Sequence, residues 1–287
     1  AVIADERPAL VLVVGDVTST FACAVSAVKR SIPVDHVEAG LRSFDRTMPE
    51  EINRILTDSI ADLFFVSEPS GVVNLLREGH DEKKIHLVGN VMIDSLLAHL
   101  DKARAIEKWR AFDLPRGGYA LVTLHRPSNV DDADRLRQMV ACLGRISERI
   151  PVVFPVHPRT RKNLDGVVES PSFRLCEPLG YLDFVSLMAG ARLVVTDSGG
   201  IQEETTALGI PCLTLRHNTE RPITAAVGTN TLLGNDLDKL VAKVVEISEG
   251  KYKRGTVPEL WDGQASRRIV DVLMQVEAEA VTTAATR

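Results

Sequence analysis

Short apolar runs that alternate with helix-like segments constrain the fold of this chain more than any other feature of its sequence. The first clear run, at residues 10–14, has five consecutive apolar side chains and ends abruptly at Gly15-Asp16. Such continuous runs of Val and Leu are typical of strands buried on both faces, as in a parallel sheet. The sequence therefore predicts an α/β fold in which helices connect parallel strands.

The alternation occurs in two blocks. The first block predicts strands at 10–14, 34–37, 63–66 and 85–88 and helices at 18–29, 50–60, 69–78 and 93–102. The second predicts strands at 119–124, 152–156, 174–176, 193–196, 212–215 and 231–233 and helices at 131–149, 182–190, 202–208 and 237–249. A charged segment between the blocks ends in the helix-breaking run Pro115-Arg116-Gly117-Gly118.

A length of 287 residues favours two domains of ordinary size over one very large core. We predict two Rossmann-like, doubly wound domains that face each other across a cleft. The first covers 1–101 and is joined by a C-terminal helix at 263–279, and the second covers 117–262.

Composition and spacing exclude several functions. The chain has 34 Lys and Arg against 39 Asp and Glu, a net charge of −5, and no basic run, which argues against nucleic acid or an anionic membrane as the main partner. No apolar stretch reaches the roughly 18 residues of a membrane span, so we expect a cytoplasmic protein. The four cysteines form no C-x-x-C pair and predict buried, reduced thiols. The seven histidines form no metal-binding pattern, so no metal is expected.

Acidic residues follow the predicted strands of the first block, where ligands of open parallel sheets bind. Asp16 follows the first strand, Glu38 follows the second, and Glu50 opens the next helix. Three carboxylates in one cleft would repel each other, which favours a raised pKa for at least one and makes acid and base roles available together. Asp16 could instead form an ordinary turn. Glu51, by contrast, is typical of a solvated acid in a first helical turn.

Basic residues follow the predicted strands of the second block. His125 and Arg126 follow the strand at 119–124, and His157 follows the strand at 152–156 with an arginine two residues on. One histidine after a strand is usually structural, but two with neighbouring arginines favour an anionic ligand.

The most specific cluster follows the strand at 193–196. Ser198, Gly199 and Gly200 allow backbone N–H groups to approach a phosphate at the positive end of a helix. Glu204 lies deeper along that helix and suits neutral sugar hydroxyls. Arg221 offers a further cation for a diphosphate, although an arginine before a proline could also be an exposed turn residue.

Eight ordered motifs together resemble the non-hydrolysing UDP-N-acetylglucosamine 2-epimerases, over residues 8–275. They are G-D-x-T-S-T, H-V-E-A-G-L-R, P-E-E-I-N-R, G-N-V-M-I-D, H-R-P-S-N-V-D, P-V-H-P-R, D-S-G-G-I-Q-E-E and T-E-R-P. The resemblance implies the GT-B architecture, a homodimer, a UDP-sugar substrate and a reaction that needs no cofactor and no metal. The activity implied is the interconversion of UDP-GlcNAc and UDP-ManNAc by elimination and re-addition of UDP.

The resemblance also implies the roles of individual residues. Acid and base carboxylates fall on Asp16, Glu38 and Glu50, and the catalytic histidine falls on His125. Residues matching the UDP-binding positions are Ser198, Gly199, Gly200, Glu204 and Arg221, while Arg126 and His157 match positions associated with substrate or regulatory nucleotide-sugar binding.

Two departures from the family pattern bear on whether this chain has the family's activity. Pro127-Ser128 stands where many members have Arg-Glu. A family segment with a strand followed by G-T-R-P-E has no counterpart, so we expect an incomplete first domain, a folded second domain with weak UDP binding, and little or no epimerisation. Three alternatives stay open at this point: a hydrolysing 2-epimerase that releases free sugar, a GT-B glycosyltransferase that needs an acceptor, and a non-catalytic nucleotide-sugar-binding protein.

Overall fold

The computed structural model describes residues 2–156, 158–164 and 170–285. The chain divides into two compact units, one formed by 1–94 with 259–287 and the other by 95–258. The division falls inside the helix Val91–Ile106. The sequence-based domain limits, 1–101 with 263–279 and 117–262, stay predictions.

The first unit contains a four-stranded parallel sheet in the order β1-β2-β3-β4. Its strands are β1 (Val11–Val14), β2 (Val34–Val37), β3 (Leu63–Val66) and β4 (Ile85–Leu87), and its helices begin with α1 (Val2–Glu6), α2 (Thr18–Val28), α3 (Pro49–Asp58) and α4 (Pro69–Arg77). The register places His36 of β2 beside Val13 of β1 and Phe64 of β3. A short 3-10 helix, Glu82–Lys84, precedes β4.

The expectation of a strand buried on both faces is wrong for β1. Leu12 and Val14 expose 42% and 51% of their surface, and Val13 between them is buried. Successive side chains point to opposite faces of a strand, so Val13 packs on α2 through Ala24 and Ala27 while Leu12 and Val14 lie on the other face of this edge strand. The expectation holds for β2, which is buried along its length.

The second unit contains a six-stranded parallel sheet in the order β10-β9-β8-β5-β6-β7. The strands are β5 (Ala120–Thr123), β6 (Val152–Pro155), β7 (Phe173–Cys176), β8 (Leu193–Thr196), β9 (Cys212–Thr214) and β10 (Asn230–Leu232). The strand order reverses between β5 and β8, which lie side by side. In a Rossmann-like sheet the loops that leave two such strands form the ligand-binding crevice.

The helix α5 (Val91–Ile106) runs from the first unit into the second, and a 3-10 helix at Lys108–Phe112 follows it. The helices that connect or follow the strands of the second sheet are α6 (Pro127–Val130), α7 (Ala133–Ser147), α8 (Pro158–Arg161), α9 (Tyr181–Gly190), α10 (Gly199–Leu208), α11 (Pro222–Ala226) and α12 (Leu237–Ser248). The core joins α7 and α12 to the sheet through apolar residues such as Leu136, Leu143, Phe154, Val195 and Leu240. The last helix, α13 (Ala265–Ala285), belongs to the first unit.

All ten predicted strands are confirmed, with ends that shift by a residue or two. The helix predicted at 131–149 begins at Ala133, because the Asp132 side chain caps it by accepting from the N–H groups of Asp134 and Arg135. The sequence missed α1, α6, α8 and α11, which are too short to show helical periodicity. The predicted end of the last helix at 279 is too early, since the alanine-rich segment that follows favours helix. Within the described residues, no helix combines the length and apolar content needed to cross a membrane.

The four cysteines are free, but they do not share one environment. Cys142 and Cys212 are buried, Cys176 is half-buried and Cys23 is exposed. The prediction of four buried thiols is therefore wrong for Cys23. The helix α2 turns Thr20, Ala24 and Ala27 to the core, and Cys23 lies off that face.

A pair of alanine substitutions tests how closely the first unit is packed. Gly40 and Gly79 both have a left-handed backbone, with φ of 78° and 91°. A Cβ on Gly40 would lie 2.4 Å from the carbonyl oxygen of Gly71, whereas nothing lies within 4 Å of a Cβ on Gly79. We expect Gly79→Ala to cost about 1–2 kcal/mol from backbone strain alone. Gly40→Ala should cost at least about 2 kcal/mol more, because backbone must move. Equal losses in denaturant unfolding would contradict this packing.

Candidate functional site

Asp16, at the end of β1, is held against helix α3. Its carboxylate oxygen Oδ2 lies 3.0 Å from Nε and 2.8 Å from Nη2 of Arg54. Its backbone carbonyl accepts a hydrogen bond of 2.8 Å from the Asn53 side chain. The Asp16 side chain is 21% exposed, while that of Arg54 is 2% exposed. A buried guanidinium therefore orients Asp16 and balances its charge.

Glu38, just after β2, lies beside the turn that carries Asp16. Its oxygen Oε2 is 3.6 Å from the position that a Cβ on Gly15 would take. Glu38 is buried and has a φ of 68°, a left-handed conformation that is uncommon for a residue with a side chain. Glu50 is half-buried in the first turn of α3, the helix that also supplies Asn53 and Arg54. Sequence and structure thus place the three predicted carboxylates in one unit.

The interpretation of Glu51 as a solvated acid is wrong. Its carboxylate is buried and accepts hydrogen bonds from the Ser43 N–H at 2.8 Å, the Ser43 hydroxyl at 3.1 Å and the Phe44 N–H at 2.9 Å. Arg54 completes the set at 2.8 Å. Arg54 therefore bridges Glu51 and Asp16. Glu51 supports the loop before α3, which differs from the role predicted for its neighbour Glu50.

Asp197, at the end of β8, organises the loop that follows β5. This carboxylate is fully buried and accepts from the N–H of His125 at 3.2 Å, the N–H of Arg126 at 3.0 Å and the side chain of Asn129 at 3.0 Å. The His125 ring nitrogen Nδ1 lies 3.3 Å from Asp197, and the His125 side chain is 43% exposed. The structure thereby brings the predicted His125 and Ser198 loops together at the strand-order reversal.

Ser198 and Gly199 begin helix α10. Ser198 is the N-cap residue, and its N–H donates to the Thr196 hydroxyl at 3.0 Å. A Cβ on Gly199 would lie 2.6 Å from an oxygen of Glu220 and 2.7 Å from a nitrogen of Arg221. A side chain at 199 would therefore have to displace the ends of these two charged side chains.

Three arginines surround Glu220 beside this helix start. Arg216 and Arg221 contact the Glu220 carboxylate at 2.6 Å and 2.5 Å, and Arg126 lies 4.0 Å from it. Arg221 also pairs with Glu203 at 2.8 Å. The alternative interpretation of Arg221 as an exposed turn residue is wrong, because this side chain is 7% exposed.

These three arginines and two glutamates form a cluster with a formal charge of +1 that adjoins the positive end of α10. That combination suits an anion. The sequence analysis missed Arg216, Glu203 and Glu220. The available signal was position, since Arg216 stands two residues beyond β9 and Glu220 immediately precedes Arg221.

Glu204 is the predicted sugar-binding residue of α10. It is buried, and the Tyr181 hydroxyl donates to its Oε1 at 3.2 Å. Burial raises the pKa of the Glu204 carboxyl to about 7, although the hydrogen bond from Tyr181 opposes that shift. A buried carboxyl with such a raised pKa can accept hydrogen bonds from neutral hydroxyl groups.

Two parts of the predicted site stay predictions. His157 lies outside the described residues. The shared cleft of Asp16, Glu38, Glu50 and His125 also stays a prediction, because the first three belong to the first unit and His125 to the second. In the part of the chain that the structure describes, no three His, Cys, Asp or Glu side chains are grouped so as to hold a metal ion.

The chain is similar over nearly its full length to known sugar-nucleotide epimerases. A family model described as UDP-N-acetylglucosamine 2-epimerase matches residues 1–274. A UDP-N-acetylglucosamine 2-epimerase of Methanocaldococcus jannaschii is 44% identical over 95% of this chain and 77% of the relative. A UDP-2,3-diacetamido-2,3-dideoxy-D-glucuronate 2-epimerase of Pseudomonas aeruginosa is 42% identical over 96% and 77%.

A solved structure extends the similarity to the fold. The Methanocaldococcus jannaschii UDP-GlcNAc 2-epimerase, crystallised with UDP-GlcNAc and UDP, aligns with a TM-score of 0.85 at 43% identity. The alignment covers 96% of this chain and 78% of that one.

The raised pKa of Glu204 predicts a pH-dependent stability. A carboxyl whose pKa rises from 4.5 to about 7 on folding costs nothing below pH 4.5 and its full cost above pH 7. We expect Glu204→Gln to be more stable than the parent chain by about 2–3 kcal/mol at pH 8 and equally stable at pH 4.5. Denaturant unfolding at both pH values measures this. Glu148→Gln, at an exposed position, is the control, and a gain for Glu204→Gln that is the same at both pH values would contradict the assignment.

Proposed function

The chain belongs to the UDP-N-acetylglucosamine 2-epimerase family and is an epimerase, and we propose that it interconverts UDP-GlcNAc and UDP-ManNAc. Its fold class is that of the family, α/β with two Rossmann-like units of GT-B type. The observation that carries the proposal is the match of the family model to residues 1–274, within which every predicted site residue lies.

The reaction proceeds by elimination and re-addition. A carboxylate removes the C2 proton, the C1–O bond breaks, and UDP departs with the bonding electrons to leave a glycal. A proton then adds to C2 from the opposite face while a UDP oxygen re-forms the bond at C1. Asp16, Glu38 and Glu50 are the candidate proton carriers, because the reaction needs an acid and a base on different faces of the sugar.

The cluster around Glu220 would hold the diphosphate. Charge develops on the leaving group as the C1–O bond breaks, so fixed cations and N–H donors lower the barrier at that step. Arg126, Arg216 and Arg221 supply the cations, and the start of α10 at Ser198-Gly199-Gly200 supplies the N–H groups. His125 is the candidate donor to the departing oxygen, with Asp197 orienting its ring.

A second nucleotide sugar is an alternative to UDP-GlcNAc as the substrate. The relative from Pseudomonas aeruginosa acts, by its name, on a UDP-2,3-diacetamido-2,3-dideoxy-D-glucuronate, and it is nearly as similar as the relative named for UDP-GlcNAc. Both names describe an epimerisation at C2. Rates with the two nucleotide sugars side by side decide between them, and a preference for the diacetamido sugar would replace UDP-GlcNAc as the substrate.

The first test follows the C2 proton. Incubation with UDP-GlcNAc in D2O should place deuterium at C2 of both UDP-GlcNAc and UDP-ManNAc, because each passage through the glycal exchanges that position with solvent. NMR measures it. Free ManNAc as the product would indicate the hydrolysing alternative, and turnover only with an added acceptor would indicate a glycosyltransferase. Binding of UDP-GlcNAc without exchange would indicate a non-catalytic protein.

Substitution of the three carboxylates tests their assignment. We expect Asp16→Asn, Glu38→Gln and Glu50→Gln each to lower kcat by about 100-fold or more, the usual contribution of a proton-transfer group. Glu82→Gln is the control because Glu82 is an exposed acid of the same unit. An unchanged rate of C2 exchange in any one variant would remove that residue from the mechanism.

The diphosphate site is better tested at Gly199 than at Arg221. Removal of Arg221 would take one cation from the buried Glu203 and one from the buried Glu220, so a loss of UDP affinity would be mixed with a loss of stability. Gly199→Ala should weaken UDP binding tenfold or more, about 1.4 kcal/mol, because its Cβ displaces Glu220 and Arg221. Gly180→Ala, at the start of α9 where nothing lies within 4 Å, should bind UDP as the parent does. Calorimetry measures both, and equal affinities would contradict the site.

We also propose, from the family resemblance, that the protein is a homodimer in the cytoplasm. Light scattering coupled to size exclusion measures the mass of the particle. A monomeric mass at the protein concentration used for the activity assay would remove the dimer from the proposal.

A further inference from the structure

Asp58, the last residue of α3, is a fully buried carboxylate that receives three hydrogen-bonding groups. Its Oδ1 lies 2.6 Å from Nδ1 of His36, and its Oδ2 accepts from the Gly40 N–H at 3.1 Å and from Nη2 of Arg42 at 2.6 Å. Arg42 continues the network to Glu78 at the end of α4. A buried charge is tolerated only when it is paired in this way.

His36 extends the reach of Asp58 to a second turn. Its Nε2 lies 2.9 Å from the carbonyl oxygen of Gly15. A carbonyl can only accept, so Nε2 carries a hydrogen. Burial lowers the pKa of His36, but the hydrogen bond and the charge of Asp58, the Gly15 carbonyl and the charge of Glu38 together raise it above its usual range. His36 is itself fully buried in the middle of β2.

The two turns that Asp58 holds are the ones that carry the candidate proton carriers. Gly15 immediately precedes Asp16, and Gly40 comes two residues after Glu38. A backbone hydrogen bond of 3.0 Å from Gly15 to Val37 joins the same two segments. One carboxylate therefore fixes both the end of β1, through His36, and the loop after β2, through Gly40.

We propose that Asp58 is a positioning residue for the epimerisation, setting the placement of Asp16 and Glu38 through His36 and Gly40. The inference rests on the proposed function, since it gives the two carboxylates their purpose. Proton transfer needs its partners within hydrogen-bond reach, and a misplacement of about 1 Å can cost about 100-fold in rate. Asp58 would act on kcat without contacting the sugar.

The replacement of Asp58 by asparagine distinguishes the positioning effect of its hydrogen bonds from the effect of its negative charge. The amide nitrogen that Asp58→Asn introduces can donate to Nδ1 of a neutral His36, which keeps its hydrogen on Nε2 for Gly15. The amide oxygen can still accept from Gly40 and Arg42. Each hydrogen bond to Asp58 is thereby replaced, while Asp58→Ala removes all three, so that Nδ1 of His36, the Gly40 N–H and Nη2 of Arg42 lose this partner.

The experiment compares Asp58→Ala, Asp58→Asn and the control Asp62→Ala by kcat, KM and UDP affinity. Asp62 also accepts a backbone N–H of β2, that of Val34 at 3.0 Å, but at the opposite end of the strand. We expect Asp58→Ala to lose about 100-fold in kcat with UDP affinity unchanged. Asp58→Asn should stay within about tenfold of the parent, and Asp62→Ala should keep its kcat.

Three results would overturn the inference: a parental kcat for Asp58→Ala, an equal loss for Asp62→Ala, or an Asp58→Asn variant as slow as Asp58→Ala. If Asp58→Ala does not fold, His36→Asn tests the part of the role that concerns Asp16. It breaks the link to Gly15 and leaves Gly40 bound to Asp58.

Amide hydrogen exchange keeps this inference separate from the proposed function. A parent chain without C2 exchange would contradict the epimerase assignment, whatever Asp58 does. Faster exchange in the segments 15–16 and 38–40 of Asp58→Ala, but not of Asp58→Asn, would still show that Asp58 orders both turns. Unchanged exchange in both segments would overturn the positioning role independently of activity.

Discussion

The need to pair buried carboxylates determines how both units present their functional loops. An ionised carboxyl without partners costs several kcal/mol inside a protein, so each buried acid accepts hydrogen bonds from the segments around it. Asp197 collects the N–H groups of His125 and Arg126, and Asp58 collects His36, Gly40 and Arg42. In each unit one acid therefore joins segments that are distant in sequence.

The same principle shapes the candidate diphosphate site. Three arginines without counterions would repel each other, and Glu220 and Glu203 hold Arg126, Arg216 and Arg221 together. The carboxylates also reduce the charge that an anion would meet. The N–H groups at the start of α10 then contribute a larger share of the attraction for an anion. Glycine at 199 lets Glu220 and Arg221 lie close to this helix start.

The acids of the site differ because their surroundings differ. Glu51 and Asp16 share Arg54, yet Glu51 is enclosed by backbone donors while Asp16 keeps part of its surface exposed. Glu204 is buried beside the neutral hydroxyl of Tyr181, so burial outweighs that single hydrogen bond and raises its pKa to about 7. A Glu can thus serve as a structural anchor, a candidate proton carrier or a candidate sugar contact, according to the donors around it.

The sequence by itself determined the alternation of strands and helices, the ten strands and the loops that carry Asp16, Glu38, His125 and Ser198. These follow from local properties, since apolar runs specify buried strands and parallel strands place their ends at one edge of a sheet. Only the tertiary structure decided that Glu51 is an anchor, that Arg221 is buried, and that Asp58 and Asp197 hold the loops. The donors to Asp58 and Asp197 lie 16 to 72 residues away along the chain, and no periodicity or spacing records which distant groups will meet.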